Sequence, residues 1–405
     1  MRIALVTTRF PLPPWRGQQV RSMEWIRALD DHQIVLVCPR PAKAPQNPTR
    51  QLEGVQLVQY PTRLHQRALA LLSGAVVGRP LQEALYRTRA AAGALRRALH
   101  QSRPDLVVVQ MVRCAWAAEV AASVAPETPI LFDAIDAMAL HFGRSCRERP
   151  WFERPLAREE ARRCGRLEGR LSDVATTVTA VSRRDLAAMG VDDEKGRVIP
   201  VSGQRFGRRA EPSHQPTILL SGNLGYRPTV ESCRWFAHDV WPTVRQRCPD
   251  VRWIIVGARP GGTVRALDRL PGVEVHGDVP SLAPFLAAAW VALAPMTSGS
   301  GVPMKVLEAW AAGVPVVARR WAAEGLEVEA RKGVHVADDA EAFAAAVADL
   351  LSSSERRQKL AEAGRQAWRR WYHPDVVASR IRETVESAVV HGSSAEGSGR
   401  RVVHT

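Results

Sequence analysis

The amino-acid sequence predicts an α/β protein made of two Rossmann-like, doubly wound domains. Three observations carry that prediction. The chain has 405 residues, more than one compact core usually serves. Short apolar, β-branched runs alternate with amphipathic stretches long enough to be helices, the sequence form of βαβ units on a parallel sheet. This rhythm occurs twice, on either side of a polar stretch containing Gly and Pro. With 46% hydrophobic and 24% charged residues, the composition is that of a globular chain and excludes the disordered and fibrous classes.

Taken in order, the first series of strands is RIALVTT (2–8), QIVLVCP (33–39), VQLVQY (55–60), DLVVVQM (105–111), PILFDAI (129–135) and VATTVTAV (174–181). The second is TILLSGN (217–223), VRWIIVGA (251–258), VEVHG (273–277), WVALAPM (290–296), VPVVARR (314–320) and GVHVAD (333–338). VSGQRFGRRAEPSHQP, 201–216, reads as the linker between a domain of residues 1–200 and one of 217–372. A helical region follows, with 373–390 as a terminal helix and 391–405 as a flexible tail rich in Gly and Ser. Two such domains leave a cleft at the carboxyl ends of their strands, and ligand is expected there.

The opening MRIALVTTRF reads as a buried first strand, so no signal peptide is expected. The longest apolar stretch, ALALLSGAVVG (68–78), is shorter than the roughly 20 residues that span a bilayer. Six cysteines show no metal-ligand spacing, which points to reduced thiols, a cytoplasmic location and no metal site. A net charge of +15 favours anionic partners. Residues 63–103 hold eight arginines, Arg63, Arg67, Arg79, Arg87, Arg89, Arg96, Arg97 and Arg103, against the single acid Glu83. Two readings stand side by side: a solvated cationic face, or a surface that docks peripherally on an anionic membrane at its cytoplasmic side. Nucleic acid is not expected as a partner, because no recognition motif or stacking pattern of aromatics accompanies the charge.

The most informative stretch is TSGSGVPMKVLEAWAAGVPVVARR, 297–320. A strand, WVALAPM, runs into a Ser/Gly loop, and a helix opens near Pro303. Gly299 and Gly301 allow backbone N–H groups to approach an anion, and a helix amino terminus favours phosphate. Lys305, in the first turn, adds charge. Glu308 lies three residues on, on much the same face, where a carboxylate can accept two hydrogen bonds from a vicinal diol. Phosphate and ribose together specify a nucleoside diphosphate. The alternative is an exposed helical Lys–Glu ion pair of small energetic weight.

With AEGL (323–326), this stretch resembles the donor-site signature of family 4 glycosyltransferases of the GT-B fold, and the chain's departures from the family pattern, named below, resemble an exopolysaccharide-type subgroup with Asp-rich versions of the segment around Ile135. SGNLGYRPTVESCRWF (221–236), IIVGARP (254–260), VEVHGDVPSLAPFL (273–286) and VTAVSRRD (178–185) extend the resemblance over most of the chain. It implies a retaining, metal-independent transfer of a sugar from a nucleotide-diphosphate donor to a hydroxyl acceptor: a glycan, a lipid-linked saccharide or a small molecule. The nucleotide sugar is then a co-substrate, and no cofactor is needed. The resemblance assigns Gly299, Ser300, Gly301 and Lys305 to the diphosphate, with Val302 in the same loop, and Glu308 to the ribose. It also implies that the terminal helix returns to the first domain. Three positions depart from the family pattern. Ser300 stands where the first of two spaced glutamates is usual, Asn223 where an arginine follows glycine, and Ile135 where a histidine is usual. Arg227 lies near enough in sequence to replace the missing arginine.

In the first domain PLPPWRGQQVRS (11–22) follows the first strand. Gly17 is the expected point of approach to the donor sugar, and Trp15 and Gln18 to the acceptor; the alternative is an ordinary turn. Asp133 and Asp136 end the fifth strand, where either can position the acceptor hydroxyl or cap the next helix. Asp136 is preferred, with His141 beyond it as a further catalytic candidate and Lys305 as the group that receives developing charge. A non-catalytic nucleotide-sugar or carbohydrate-binding protein and a GT-B epimerase are the alternative functions.

Overall fold

The computed structural model of the chain describes residues 1–14, 17–41, 52–146, 149–203, 213–297 and 301–394. The chain divides into two compact units, Met1–Ile199 with Ala378–Thr405, and Pro200–Val377. Each is a parallel sheet flanked by helices, so the predicted pair of Rossmann-like domains is borne out.

In the first unit seven strands, β1 (Arg2–Val6), β2 (Gln33–Pro39), β3 (Val55–Tyr60), β4 (Leu106–Gln110), β5 (Ile130–Ile135), β6 (Thr177–Ala180) and β7 (Gly196–Val198), lie in the order β3-β2-β1-β4-β5-β6-β7. Every pairing is parallel. The order reverses between β1 and β4, the position where doubly wound sheets take ligands at their carboxyl ends. β4 and β5 are buried along their whole length, which is why their sequences are near-continuous apolar runs. β7 was not anticipated: three residues at a sheet edge, only partly buried, leave little apolar signal. The register of β5 on β6 shifts between Asp133 and Ile135, and Ile135 has φ +66°. That is a strained conformation for a β-branched residue, of the kind that clusters at functional sites.

The second unit holds β8 (Thr217–Asn223), β9 (Arg252–Ala258), β10 (Val273–Gly277), β11 (Val291–Ala294), β12 (Val316–Ala318) and β13 (Val334–Val336), ordered β10-β9-β8-β11-β12-β13. Residues of one strand alternate between two cores. Ile218, Leu220, Trp253, Ile255 and Leu293 pack with Phe236, Trp241 and Phe343 on one face of the sheet. Leu219, Ile254, Val256, Ala292 and Val316 pack with Val306, Leu307 and Trp310 on the other. This two-residue alternation with helices on both faces is what makes the domain doubly wound. The last helix, Pro374–Ser394, starts at the end of this unit and belongs to the first unit from Ala378 on, where Arg382 donates to the carbonyl of Ala28 at 3.1 Å.

Candidate functional site

The stretch singled out in the sequence follows β11 and forms the helix Met304–Ala312 and then β12. Val306, Leu307, Ala309 and Trp310 are its buried stripe, and the Trp310 indole donates to the Gly333 carbonyl at 2.9 Å. Pro303 is the residue before the first turn, one place earlier than expected, and Gly313 ends the helix with φ +71°. Lys305 and Glu308 lie at the margin of the buried stripe and are half-buried. Among the described residues neither takes part in a hydrogen bond or a close ion pair, so the helical ion-pair alternative is not realised. Burial holds the Lys305 ammonium below its usual pKa, although Cys233 and Glu308 favour its charge. Burial also pushes the Glu308 carboxyl up to about 7, with Lys305 opposing. Each of the two charges is only partly compensated without ligand, the environment expected where an anion and a diol complete the set.

Two glycines shape the space around Lys305. Gly222, at the carboxyl end of β8, has φ +146°, and a methyl added there would sit 3.8 Å from both the Lys305 ammonium nitrogen and its Cε. The ammonium therefore lies over bare backbone at the strand end. Gly301 has φ +76°, and its carbonyl oxygen would be 2.2 Å from a methyl placed on Gly325. Gly325 belongs to the AEGL segment, so this segment lets the loop close against it, a role not visible in the sequence alone. Val302 is half-buried beside Gly301, whereas Gly299 and Ser300 lie outside the described residues. Asn223 turns its side-chain oxygen to the Gly225 N–H at 3.1 Å, and Arg227 reaches Glu231 at 2.7 Å. Both sit at the same strand end as Gly222, and Arg227 must exchange or share its carboxylate to serve a ligand.

In the first unit the structure separates the two aspartates. Asp133 is completely buried and is held by Arg21 at 3.1 and 2.9 Å, Gln110 at 2.9 Å and Thr179 at 2.7 Å. That network ties the helix Gly17–Ala28 to β4, β5 and β6, and leaves Asp133 no lone pair for an acceptor. Asp136 is half-buried just beyond β5 and interacts electrostatically with His141 on the helix Met138–Ser145. Burial holds His141 below its usual pKa, helped by Arg113 and Arg149 and opposed by Asp136. The neutral form of the imidazole is thereby favoured.

Two carboxylates near this corner were missed in the sequence. Glu168 accepts from the N–H groups of Met138 at 2.6 Å and Ala139 at 3.3 Å, capping the helix that bears His141. Burial lifts its pKa to about 7, against those two hydrogen bonds and with Asp136 and Asp185 adding to the rise. Asp185 accepts from Ala137 N–H at 3.3 Å, and its own N–H donates to Ser182. A signal existed: Glu160 and Glu168 occupy apolar-stripe positions of the helix Arg154–Val174, alongside Ala157, Cys164, Leu167 and Leu171. A carboxylate in such a stripe implies a partner. Gly17 opens its helix with free space where a side chain would be, Gln18 donates back to the Thr8 hydroxyl, and Trp15 lies outside the described residues. Among the described residues no three His, Cys, Asp or Glu side chains group to hold a metal ion.

An α/β chain with two such sheets, and a Lys–Glu helix at a strand end, is the form of a GT-B glycosyltransferase. Residues 16–202 match the glycosyl transferase 4-like domain, and residues 215–353 match the family of glycosyl transferases group 1. The chain belongs to this glycosyltransferase family. Phosphatidyl-myo-inositol mannosyltransferase of Mycobacterium leprae is 32% identical over 168 residues, 39% of this chain, and the match spans 44% of that relative's length. Among solved structures, sucrose-phosphate synthase of Thermosynechococcus elongatus superposes with a TM-score of 0.69 at 15% identity, covering 96% of this chain and 99% of the other. HepE of Anabaena, solved in complex with UDP-glucose, gives 0.65 at 14% identity, covering 96% and 100%.

Proposed function

We propose that this chain transfers a hexosyl group from a nucleotide-diphosphate donor to a hydroxyl of a saccharide, lipid-linked or small-molecule acceptor, with retention at the anomeric carbon and without a metal ion. The observation that carries the reading is the half-buried Lys305–Glu308 pair, which has no hydrogen-bonding partner among the described residues and whose lysine faces bare backbone at Gly222. Lys305 and the amides of the Gly301 loop take up charge developing on the departing diphosphate, a kind of stabilisation worth several kcal/mol in enzymes. Glu308 accepts from the ribose hydroxyls. Asp136 orients the acceptor hydroxyl, and the neutral His141 imidazole is able to receive its proton. The UDP-glucose held by the structural neighbour HepE supports a nucleotide-sugar donor.

The experiment is a titration of nucleoside diphosphates and nucleosides into the wild type, Lys305→Ala and Glu308→Gln. Lys305→Ala should weaken the diphosphate about tenfold or more and leave the nucleoside nearly unchanged, because the lost contact is charge-assisted. Glu308→Gln should weaken both alike. Unchanged diphosphate affinity in folded Lys305→Ala overturns the donor-site reading. Ser300 and Ile135, in place of the usual carboxylate and histidine, favour a second reading as a non-catalytic sugar-nucleotide binder or an epimerase. Product analysis separates the three: transfer to an added acceptor with the anomer retained, binding without turnover, or inversion within the donor.

We also propose that the protein works at the cytoplasmic face of an anionic membrane. The helix Leu64–Val76 exposes Leu64, Leu69, Leu72 and Val76, with Arg63 just before it and Arg67 within it. No helix among the described residues is long and apolar enough to cross a membrane. An apolar face with adjacent arginines is the pattern of a helix lying in an interface.

A further inference from the structure

A cavity of about 330 Å³ opens in the first unit at the carboxyl ends of β1, β2 and β3. Among the described residues its walls carry Arg9, Arg40 and Arg67 and no Asp or Glu. Among the described residues none of these three guanidinium groups is in an ion pair. The Arg67 guanidinium lies over the Tyr86 ring, 5.7 Å from its centre, and both residues line the cavity. Tyr60 also lines the cavity. Cationic side chains that line one cavity with no carboxylate among them leave their charge to be met by an anionic occupant. The occupant that several guanidinium groups suit is a multiply charged oxyanion. The contrast with Arg79 and Arg87 is direct: those arginines are satisfied by Glu83 and Glu119, at 2.7 to 3.4 Å.

We infer that this cavity binds a phosphate group carried by the acceptor. The inference rests on the transferase reading only for the word acceptor; binding of the phosphate rests on the cavity itself. Two sources share this chemistry, a free sugar phosphate and the headgroup of a phospholipid. Arg67 belongs to the helix Leu64–Val76, whose leucines are exposed, so a headgroup can enter from a membrane surface as readily as a soluble ligand from water.

The test uses the full chain with glucose 6-phosphate, glucose, and vesicles of phosphatidylcholine with or without phosphatidylinositol. Glucose 6-phosphate or the phosphatidylinositol vesicles should bind, and glucose should bind at least tenfold more weakly than its phosphate. Arg40→Ala and Arg67→Ala should each cost about tenfold or more, and Arg67→Lys should restore part of the loss, since it keeps the charge without the planar fork. Lys305→Ala should bind these probes like the wild type. Binding of glucose 6-phosphate alone identifies a soluble ligand; binding of the vesicles alone identifies a headgroup where Arg40→Ala, which lies off the exposed helix, weakens it. The inference is overturned if neither probe binds, or if the arginine variants, with unchanged melting temperature, bind as the wild type does. That failure leaves donor binding by Lys305 and Glu308 intact, and failure of donor binding leaves the arginine-dependent phosphate binding intact.

Discussion

Glu308 carries a distinct pH signature at the scale of one residue. Its folded pKa of about 7 lies above the ordinary 4.5, because burial opposes the charged form. The native protein therefore keeps a proton that the unfolded chain has lost, and this contribution to stability is complete below pH 4.5 and gone once the pH passes 7. Glu308→Gln lacks the titration. In the absence of ligand the variant should melt above the wild type at pH 8, and the gap should close as the pH falls from 7 to 4.5. Calorimetry at matched ionic strength checks it, with roughly 2–4 °C expected for each kcal/mol in a chain with units of this size. Donor binding should also release protons near pH 7 in the wild type and fewer in the variant. Asp133 gives the complementary case. Asp133→Asn leaves the buried Arg21 with Glu24, at 3.8 Å, as its remaining carboxylate, and breaking a buried pair of this kind costs about 3–5 kcal/mol. Urea unfolding should show that loss, whereas Asp136→Asn should reduce transfer and leave unfolding nearly unchanged.

The loop and helix around Lys305 work as one element. A methyl at Gly325 would fall 2.2 Å from the Gly301 carbonyl oxygen, so Gly325→Ala must push the donor loop away from its place. Donor affinity should fall about tenfold or more with little change in the unfolding midpoint, measured by titration and urea unfolding on the same preparation. Wild-type affinity in this variant would mean that the contact between loop and AEGL segment does not set the donor geometry. Much of this element was legible beforehand: the Lys–Glu spacing, the glycine loop and the strand before them follow from residue type and periodicity. The role of Gly325 was not, because a close approach between segments 24 residues apart leaves no local pattern. The same limit hid Glu168, whose partners Met138 and Ala139 lie on another helix. It also applied to the two aspartates at β5, which look alike in sequence and differ only through what packs behind them.

At the scale of the whole molecule the duplicated strand-helix rhythm was enough to predict both sheets, since parallel strands buried on two faces must be continuous apolar runs. The short edge strand β7 lacked that signature, and the arginine-lined cavity is assembled from three strand ends and a helix that are distant in sequence. The net charge of +15 was readable at once, but its distribution was not. Arg79 and Arg87 are consumed by Glu83 and Glu119, so two of the eight arginines in 63–103 are unavailable to a membrane. What the structure adds is the exposed apolar face, Leu64 at 84% and Val76 at 87% exposure. Membrane binding should then have two separable parts. Raising the salt shortens the Debye length from about 8 Å at 0.15 M, so cosedimentation with anionic vesicles should weaken as the arginines are screened. Leu69→Ser with Leu72→Ser should weaken the binding that remains at high salt, because that part scales with apolar area removed from water. The substituted side chains are exposed, at 65% and 67%, so folding should be unaffected. Vesicle binding that resists both salt and the serine substitutions would place the contact elsewhere on the protein, and no binding to anionic vesicles would leave the exposed helix without a membrane role.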